Sequence, residues 1–148
     1  MLQHIEQKRV PYTQSEMFAL VADVERYAEF LPWCIASRIK RRESETVFYA
    51  DLVVGYKMFR ERFSSKVILT KDREISIEYL KGPLKQLQNQ WRFLDNDDGS
   101  CTIDFVVTFE FGNNFLQKLA TTFFNEVVKR MVAAFEGRAA QLYGERSL

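Results

Sequence analysis

Between Asn113 and Tyr143 the chain carries no proline, and its first glycine in that stretch is Gly137. Leu116, Leu119, Ala120, Phe123, Phe124, Val127, Val128, Met131, Val132, Phe135 and Leu142 recur there at steps of three and four residues, the spacing of one face of an α-helix. Asn113 stands where an N-cap belongs. About 30 residues rising ~1.5 Å each make a rod of roughly 45 Å, enough to cross a whole domain. At ~100° per residue the apolar positions fan over roughly 200°, wider than the stripe a helix needs to lie on a sheet. The rest of the chain must cover one side of this rod, and the surplus apolar width must face something further.

What precedes the rod is β in character. From Trp33 to Phe111 the apolar period is two. Ile103, Phe105, Val107, Phe109 and Phe111 alternate with mostly polar residues, as in a sheet with one solvated face. Phe48, Ala50, Leu52, Val54 and Tyr56 form a second row and Ile75, Ile77 and Tyr79 a third. A fourth, Phe59, Phe63, Val67 and Leu69, is interrupted by Glu61 and Ser65. Turn residues separate the rows: Gly55 to Met58, Lys71-Asp72-Arg73, Gly82-Pro83 and Asp95 to Gly99. Six strands are expected here. A seventh is expected in the first ten residues, ended by Pro11. Between the first strand and the rest, Thr13 and Glu16 have the spacing of a capping box for a helix carrying Met17, Phe18, Leu20 and Val21. Asp23 to Phe30 reads as a second short helix or turn, closed by Leu31-Pro32. No repeat, linker or low-complexity tract divides the chain, and 148 residues suit one domain spanning residues 1–148.

Charge and composition narrow the classes of function. With 21 basic and 20 acidic residues the net charge is +1, which does not point to DNA as a partner. Residues 38–73 nonetheless hold ten Lys/Arg against five Asp/Glu, a local net of +5. That block is either the solvated face of strands or a patch for anionic lipid headgroups or RNA phosphate. Cys34 and Cys101 form no CxxC pair and suggest a reduced, intracellular setting. No apolar run has the length of a signal sequence or a membrane span. The expectation is a cytoplasmic protein that is at most peripheral to the inner membrane.

Catalytic groupings are scarce. The one histidine, His4, lies near a terminus, and neither a P-loop nor a GxGxxG is present. No metal site and no catalytic residues are expected. Glu61 shares its parity with Phe59 and Phe63, so an inward carboxylate is an enzymatic alternative. The sequence is rich instead in apolar and aromatic side chains facing one way: aromatics are 14% of the chain, with 13 phenylalanines. Pattern leaves two uses open, a close-packed core or a concave pocket between sheet and helix. Tyr56, Tyr79 and Trp91 suit a pocket, each joining a flat apolar body to one hydrogen-bonding atom.

The order of elements matches the helix-grip, or START-like, domains. Specific strings sharpen the likeness. Val10-Pro11-Tyr12, Val24-Glu25-Arg26-Tyr27 and Phe30-Leu31-Pro32-Trp33-Cys34 resemble the N-terminal signature of the coenzyme Q-binding START-domain family. Gly82-Pro83-Leu84-Lys85 with Trp91-Arg92-Phe93, the strand from Thr102 to Phe111, and the helix strings Phe123 to Lys129 and Met131 to Glu136 resemble the remainder. The central turn carries Leu84 where many relatives have Phe. The resemblance implies an α+β fold: a curved seven-stranded antiparallel sheet wrapped around a long C-terminal helix, with two short helices after the first strand. It also implies non-catalytic binding and delivery of ubiquinone or a related prenyl lipid in support of respiration, with the quinone as ligand and no catalytic cofactor. A related bacterial branch is a ribosome-association toxin, which makes the ribosome the alternative partner. Strand parity and helix face nominate Leu52, Val54, Tyr56, Phe63, Ile77, Tyr79, Trp91, Phe93, Phe105, Phe109, Phe123, Val127 and Met131 as the lining of the lipid cavity.

Overall fold

The computed structural model describes residues 2–56 and 58–148, Tyr56 by its backbone alone. Among them seven strands form one antiparallel sheet: β1 (Leu2–Val10), β2 (Cys34–Arg42), β3 (Val47–Tyr56), β4 (Phe59–Thr70), β5 (Glu74–Lys81), β6 (Leu84–Asp95) and β7 (Cys101–Phe111). Their order across the sheet is β1-β7-β6-β5-β4-β3-β2, so the first strand pairs with the last and leaves β1 and β2 as edges.

The connection between those edges is helical. Helix α1 (Gln14–Ala22) starts at a complete capping box: the Glu16 N–H donates to the Thr13 hydroxyl at 3.1 Å, and the Thr13 N–H donates to the Glu16 carboxylate at 2.9 Å. The second short helix is a 3₁₀ segment, Val24–Glu29. It is pinned by the buried Tyr27, whose hydroxyl donates to the Val21 carbonyl. Helix α2 (Asn114–Tyr143) runs unbroken for 30 residues, with the Asn113 side chain accepting from the N–H groups of Phe115 and Leu116.

The hairpin turns follow their residues. Asp72, between β4 and β5, and Asp97, between β6 and β7, take left-handed φ of 62° and 63°, which short polar side chains tolerate. Gly82, between β5 and β6, has φ of 153°, and a Cβ there would lie 2.9 Å from both the Arg62 carbonyl oxygen and the Tyr79 hydroxyl. Glycine is needed at that turn.

Two observations position the site. The sheet curls strongly enough for the rings of Phe59 on β4 and Phe111 on β7 to meet at 5.7 Å, with β5 and β6 between their strands. The packed core gathers toward one end, where α1, the 3₁₀ segment and the last turns of α2 converge. There Phe135 of α2 makes edge contacts with Tyr27 (5.6 Å), Phe30 (5.2 Å) and Trp91 (5.3 Å).

Candidate functional site

Helix α2 behaves differently in its two halves. Val128, Phe135 and Ala139 are buried against the sheet. Leu116, Leu119, Ala120, Phe123, Phe124 and Val127 are only partly buried, because they face open space. The far end of the helix is seated in the core, while nearer its start the ring of Phe124 rests on Phe109 at 5.3 Å. Between helix and sheet lies a cavity of about 310 Å³, at the small end of the range for ligand pockets. The six helix residues above form one wall. Inward rows of the strands form the other: Leu52 and Val54 of β3, Phe59, Phe63 and Ser65 of β4, Ile77 of β5, Leu84, Leu87 and Asn89 of β6, and Phe109 and Phe111 of β7. Trp33, in the loop before β2, joins them. None of these described lining residues is charged.

Polar atoms in the wall are few. The indole Nε1–H of Trp33 and the Oδ1 of Asn89 are both buried and have no hydrogen-bond partner within the protein. A buried polar atom left unpaired costs about 1–3 kcal/mol. The Trp33 loop is held in place by its backbone, since the Gly55 N–H donates to the Trp33 carbonyl at 2.9 Å.

Of the residues nominated by parity, Leu52, Val54, Phe63, Ile77, Phe109, Phe123 and Val127 come together on this cavity. The side chain of Tyr56 lies outside the described residues. The others sit elsewhere. Phe93 is fully packed, stacked beside Trp91. Trp91, Phe105 and Met131 border a separate void of about 40 Å³ toward the core end, with the Trp91 and Phe105 rings 4.5 Å apart. The Tyr79 hydroxyl accepts from the Leu84 N–H at 2.9 Å and so closes the β5–β6 turn. These residues do face inward. The physical reason for the difference is depth: parity selects a face but not a position along the strand, and the core-end rungs are filled by Phe135 and its neighbours, while Tyr79 lies toward the turn at the other end of β5.

Within the Phe30 to Cys34 string, Phe30 packs on Phe135, Leu31 and Cys34 are buried, Pro32 is exposed and Trp33 reaches the cavity. Burial pushes the Cys34 thiol pKa up. Glu61 is half-buried and is not part of the cavity wall. Parity reasoning missed Asn89, although it alternates with Leu87 and Trp91 and so shares their inward row. It likewise missed Phe59, Leu84, Leu87 and Phe111 at the open end and the first turns of the helix wall.

Much of the basic block lies on the opposite face, although Arg42 sits over the ring of the inward Phe48 at 5.4 Å. The register aligns Arg38, Asp51 and Ser64 across β2, β3 and β4, and continues to Lys81 on β5. Asp51 is buried there, 3.7 Å from the Arg38 guanidinium and 4.0 Å from the Lys40 ammonium, and accepts from the Ser64 hydroxyl at 2.7 Å. Arg60, Arg62 and Lys66 share the outward parity on β4, and Arg41 stacks over Tyr49 at 4.3 Å. Lys57 lies outside the described residues. Among those described, no three His, Cys, Asp or Glu side chains are grouped to hold a metal ion, and no helix is long and apolar enough to cross a membrane.

A curled antiparallel sheet gripping one long helix over an apolar cavity is the START-like, helix-grip architecture. The chain belongs to the family described as polyketide cyclase/dehydrase and lipid transport, whose model matches residues 10–136. It is 34% identical, over 99% of its length, to the mitochondrial coenzyme Q-binding protein COQ10 homolog B of Xenopus laevis, and spans 62% of that protein. It is also 34% identical to the ribosome association toxin RatA of Pseudomonas aeruginosa, covering 95% of this chain and 98% of the toxin. Among solved structures, the 18 kDa protein CC1736 of Caulobacter crescentus superposes with a TM-score of 0.79 at 34% identity, over 98% of this chain and all of that one. The Zhui aromatase/cyclase of Streptomyces shares the fold, with a TM-score of 0.82 at 15% identity over 95% of this chain and 94% of that one.

Proposed function

We propose that this protein binds a prenyl lipid of the ubiquinone type without transforming it, and delivers it in support of respiration. The observation that carries this is the cavity itself: about 310 Å³, walled by aliphatic and aromatic side chains, with neutral polar atoms alone among its described lining residues. Apolar surface buried in such a site is worth ~25 cal/mol per Å², so a few hundred Å² of isoprenoid offers several kcal/mol before ordering costs. The volume suits a ring head and its first isoprene units, leaving a longer tail outside in the bilayer. Similarity to a coenzyme Q-binding protein over almost the whole chain supports the choice of lipid. The outward basic face suits a peripheral, anionic membrane surface. The experiment is direct: purify the protein under mild conditions, extract it with organic solvent and measure prenyl quinones by mass spectrometry. Stoichiometric recovery supports the reading, and absence of any prenyl lipid overturns it.

A second reading is favoured by the near full-length match to a ribosome association toxin together with the basic outer face of β2 to β5. In that reading Arg38, Arg60, Arg62 and Lys66 meet RNA phosphate. Co-sedimentation with large ribosomal subunits at physiological salt tests it. Binding lost on R60E/R62E supports it, and absence of the protein from ribosomal fractions dismisses it.

A further inference from the structure

We propose that the open end of the cavity, and not the broad outer face of the sheet, is the surface that enters a membrane: Met58 and Phe115, backed by Ile35 and Leu80, insert into an anionic bilayer beside the cavity mouth. This rests on the prenyl-lipid reading above and gives the lipid a path between bilayer and cavity. Met58 is 99% exposed, Phe115 71%, Leu80 54% and Ile35 46%. Met58 directly precedes Phe59 of the wall, Phe115 directly precedes Leu116, Ile35 follows Trp33 by two residues, and Leu80 opens the turn that leads to Leu84. Contacts draw these segments together. The rings of Phe59 and Phe111 meet at 5.7 Å, and the Gly112 N–H donates to the Pro83 carbonyl at 3.4 Å. A Cβ on Gly82 would stand 2.9 Å from the Arg62 carbonyl oxygen, and one on Gly55 only 2.4 Å from Cδ1 of Ile35. Single exposed apolar residues are ordinary, but their gathering at one place marks an interaction site.

Charge identifies the occupant. Arg60, Arg62, Lys81, Lys85 and Lys118 are exposed around the same end, where the carboxylates in the same strands are Glu61 and Glu110, neither fully exposed. Long basic side chains reach from an apolar surface to the level of lipid phosphates, and each contributes to attraction by an anionic leaflet. An apolar tip ringed by cations is thus complementary to a bilayer in both of its layers, acyl chains and headgroups. RNA phosphate would meet the same cations but would leave Met58 and Phe115 in water. Position favours the bilayer too. A cavity of about 310 Å³ leaves the rest of a long isoprenoid tail outside, and that tail emerges among apolar side chains only where the mouth itself is immersed.

The test is co-flotation with vesicles, either of pure phosphatidylcholine or containing phosphatidylglycerol, alongside titration of a short-tailed prenyl quinone in solution. It uses the wild-type chain, the double variant M58E/F115E and, as a control at the core end of the sheet, L94E. Met58 and Phe115 are exposed and lie outside the cavity wall, so the double variant is expected to keep its melting temperature and its quinone affinity in solution. The wild type should partition at least about tenfold more strongly into the anionic vesicles. The double variant should lose that partitioning by on the order of a hundredfold, and L94E should retain it. An environment-sensitive dye on Met58→Cys should brighten on anionic vesicles and the same dye on Leu94→Cys should not, a readout that stands even if the double variant fails to fold. Equal partitioning of wild type and double variant, an equal loss in L94E, a dye at Met58→Cys that does not respond, or no vesicle binding while quinone binds in solution overturns the inference and leaves the prenyl-lipid reading standing. Absence of quinone binding by the wild type overturns both.

Discussion

Phe59 on β4 and Phe111 on β7 meet edge to face at 5.7 Å, although two strands separate them in the sheet. The contact measures the curl of the sheet, and both rings belong to the cavity wall. An edge-to-face pair contributes about 0.5–1.5 kcal/mol beyond its buried area. Phe59→Ala is therefore expected to lower unfolding stability by roughly 1–3 kcal/mol, read by urea denaturation. It is also expected to speed the release of a fluorescent prenyl probe several-fold. Unchanged release kinetics would show that this contact does not guard the cavity.

The two halves of α2 should respond oppositely to mutation. Phe135 touches three aromatic rings in the core, and Phe135→Ala should cost about 3–5 kcal/mol. Ala120 borders open space, and Ala120→Phe should leave the melting temperature equal or higher, because it fills a void without displacing packed atoms. The same substitution should abolish uptake of the prenyl probe. A large loss of stability in Ala120→Phe would mean that the void closes in solution.

Acid sensitivity should centre on Glu16. Both of its carboxylate oxygens accept from the Arg146 guanidinium, at 2.7 and 3.0 Å. That pairing, aided by the bonds to Thr13 and opposed by burial, holds its pKa down at about 2 against an ordinary 4.5. The folded state thus binds fewer protons here than the unfolded chain between those two values. The stabilisation is fully present above 4.5 and is lost as pH falls toward 2. Glu16→Gln should flatten the stability-versus-pH curve in that window and leave its shape at neutral pH unchanged. An identical acid limb in the variant would assign the effect to other carboxylates.

Both cysteines should be inert in the native protein. Cys101 is wholly buried, and burial, with Asp95 and Glu16 nearby, raises its thiol pKa to about 11. Cys34 is buried and shifted in the same direction. The thiolate is the reactive form, so labelling by a disulfide reagent at pH 8 should be negligible until denaturant is added and should then reach two thiols per chain. Rapid labelling without denaturant would reveal local opening near β2 or β7.

Much of this architecture was legible in the residues. Period-two rows such as Ile103 to Phe111 encode β-strands with one apolar face, and the three-and-four spacing from Leu116 to Phe135 encodes the helix. The Thr13–Glu16 and Asn113 caps and the Gly82 and Asp95–Gly99 turns appear where their chemistry demands. These are local properties, decided by neighbours within a turn or a rung. Recurrence of apolar residues says which way Leu52, Trp91 and Phe105 point, and all three do face inward.

What the sequence could not decide was whether an inward residue meets another side chain or empty space. That depends on contacts between positions far apart: Phe135 filling the rungs of Trp91 and Phe105, Phe124 resting on Phe109, and Phe59 reaching Phe111. Tertiary packing consequently turned Trp91, Phe93, Phe105 and Met131 from expected ligand contacts into core or near-core residues. It brought Trp33 and Asn89 to the cavity as its unpaired polar atoms. Face is a short-range property of the chain, whereas the gap between a curled sheet and a helix seated at one end exists only in three dimensions.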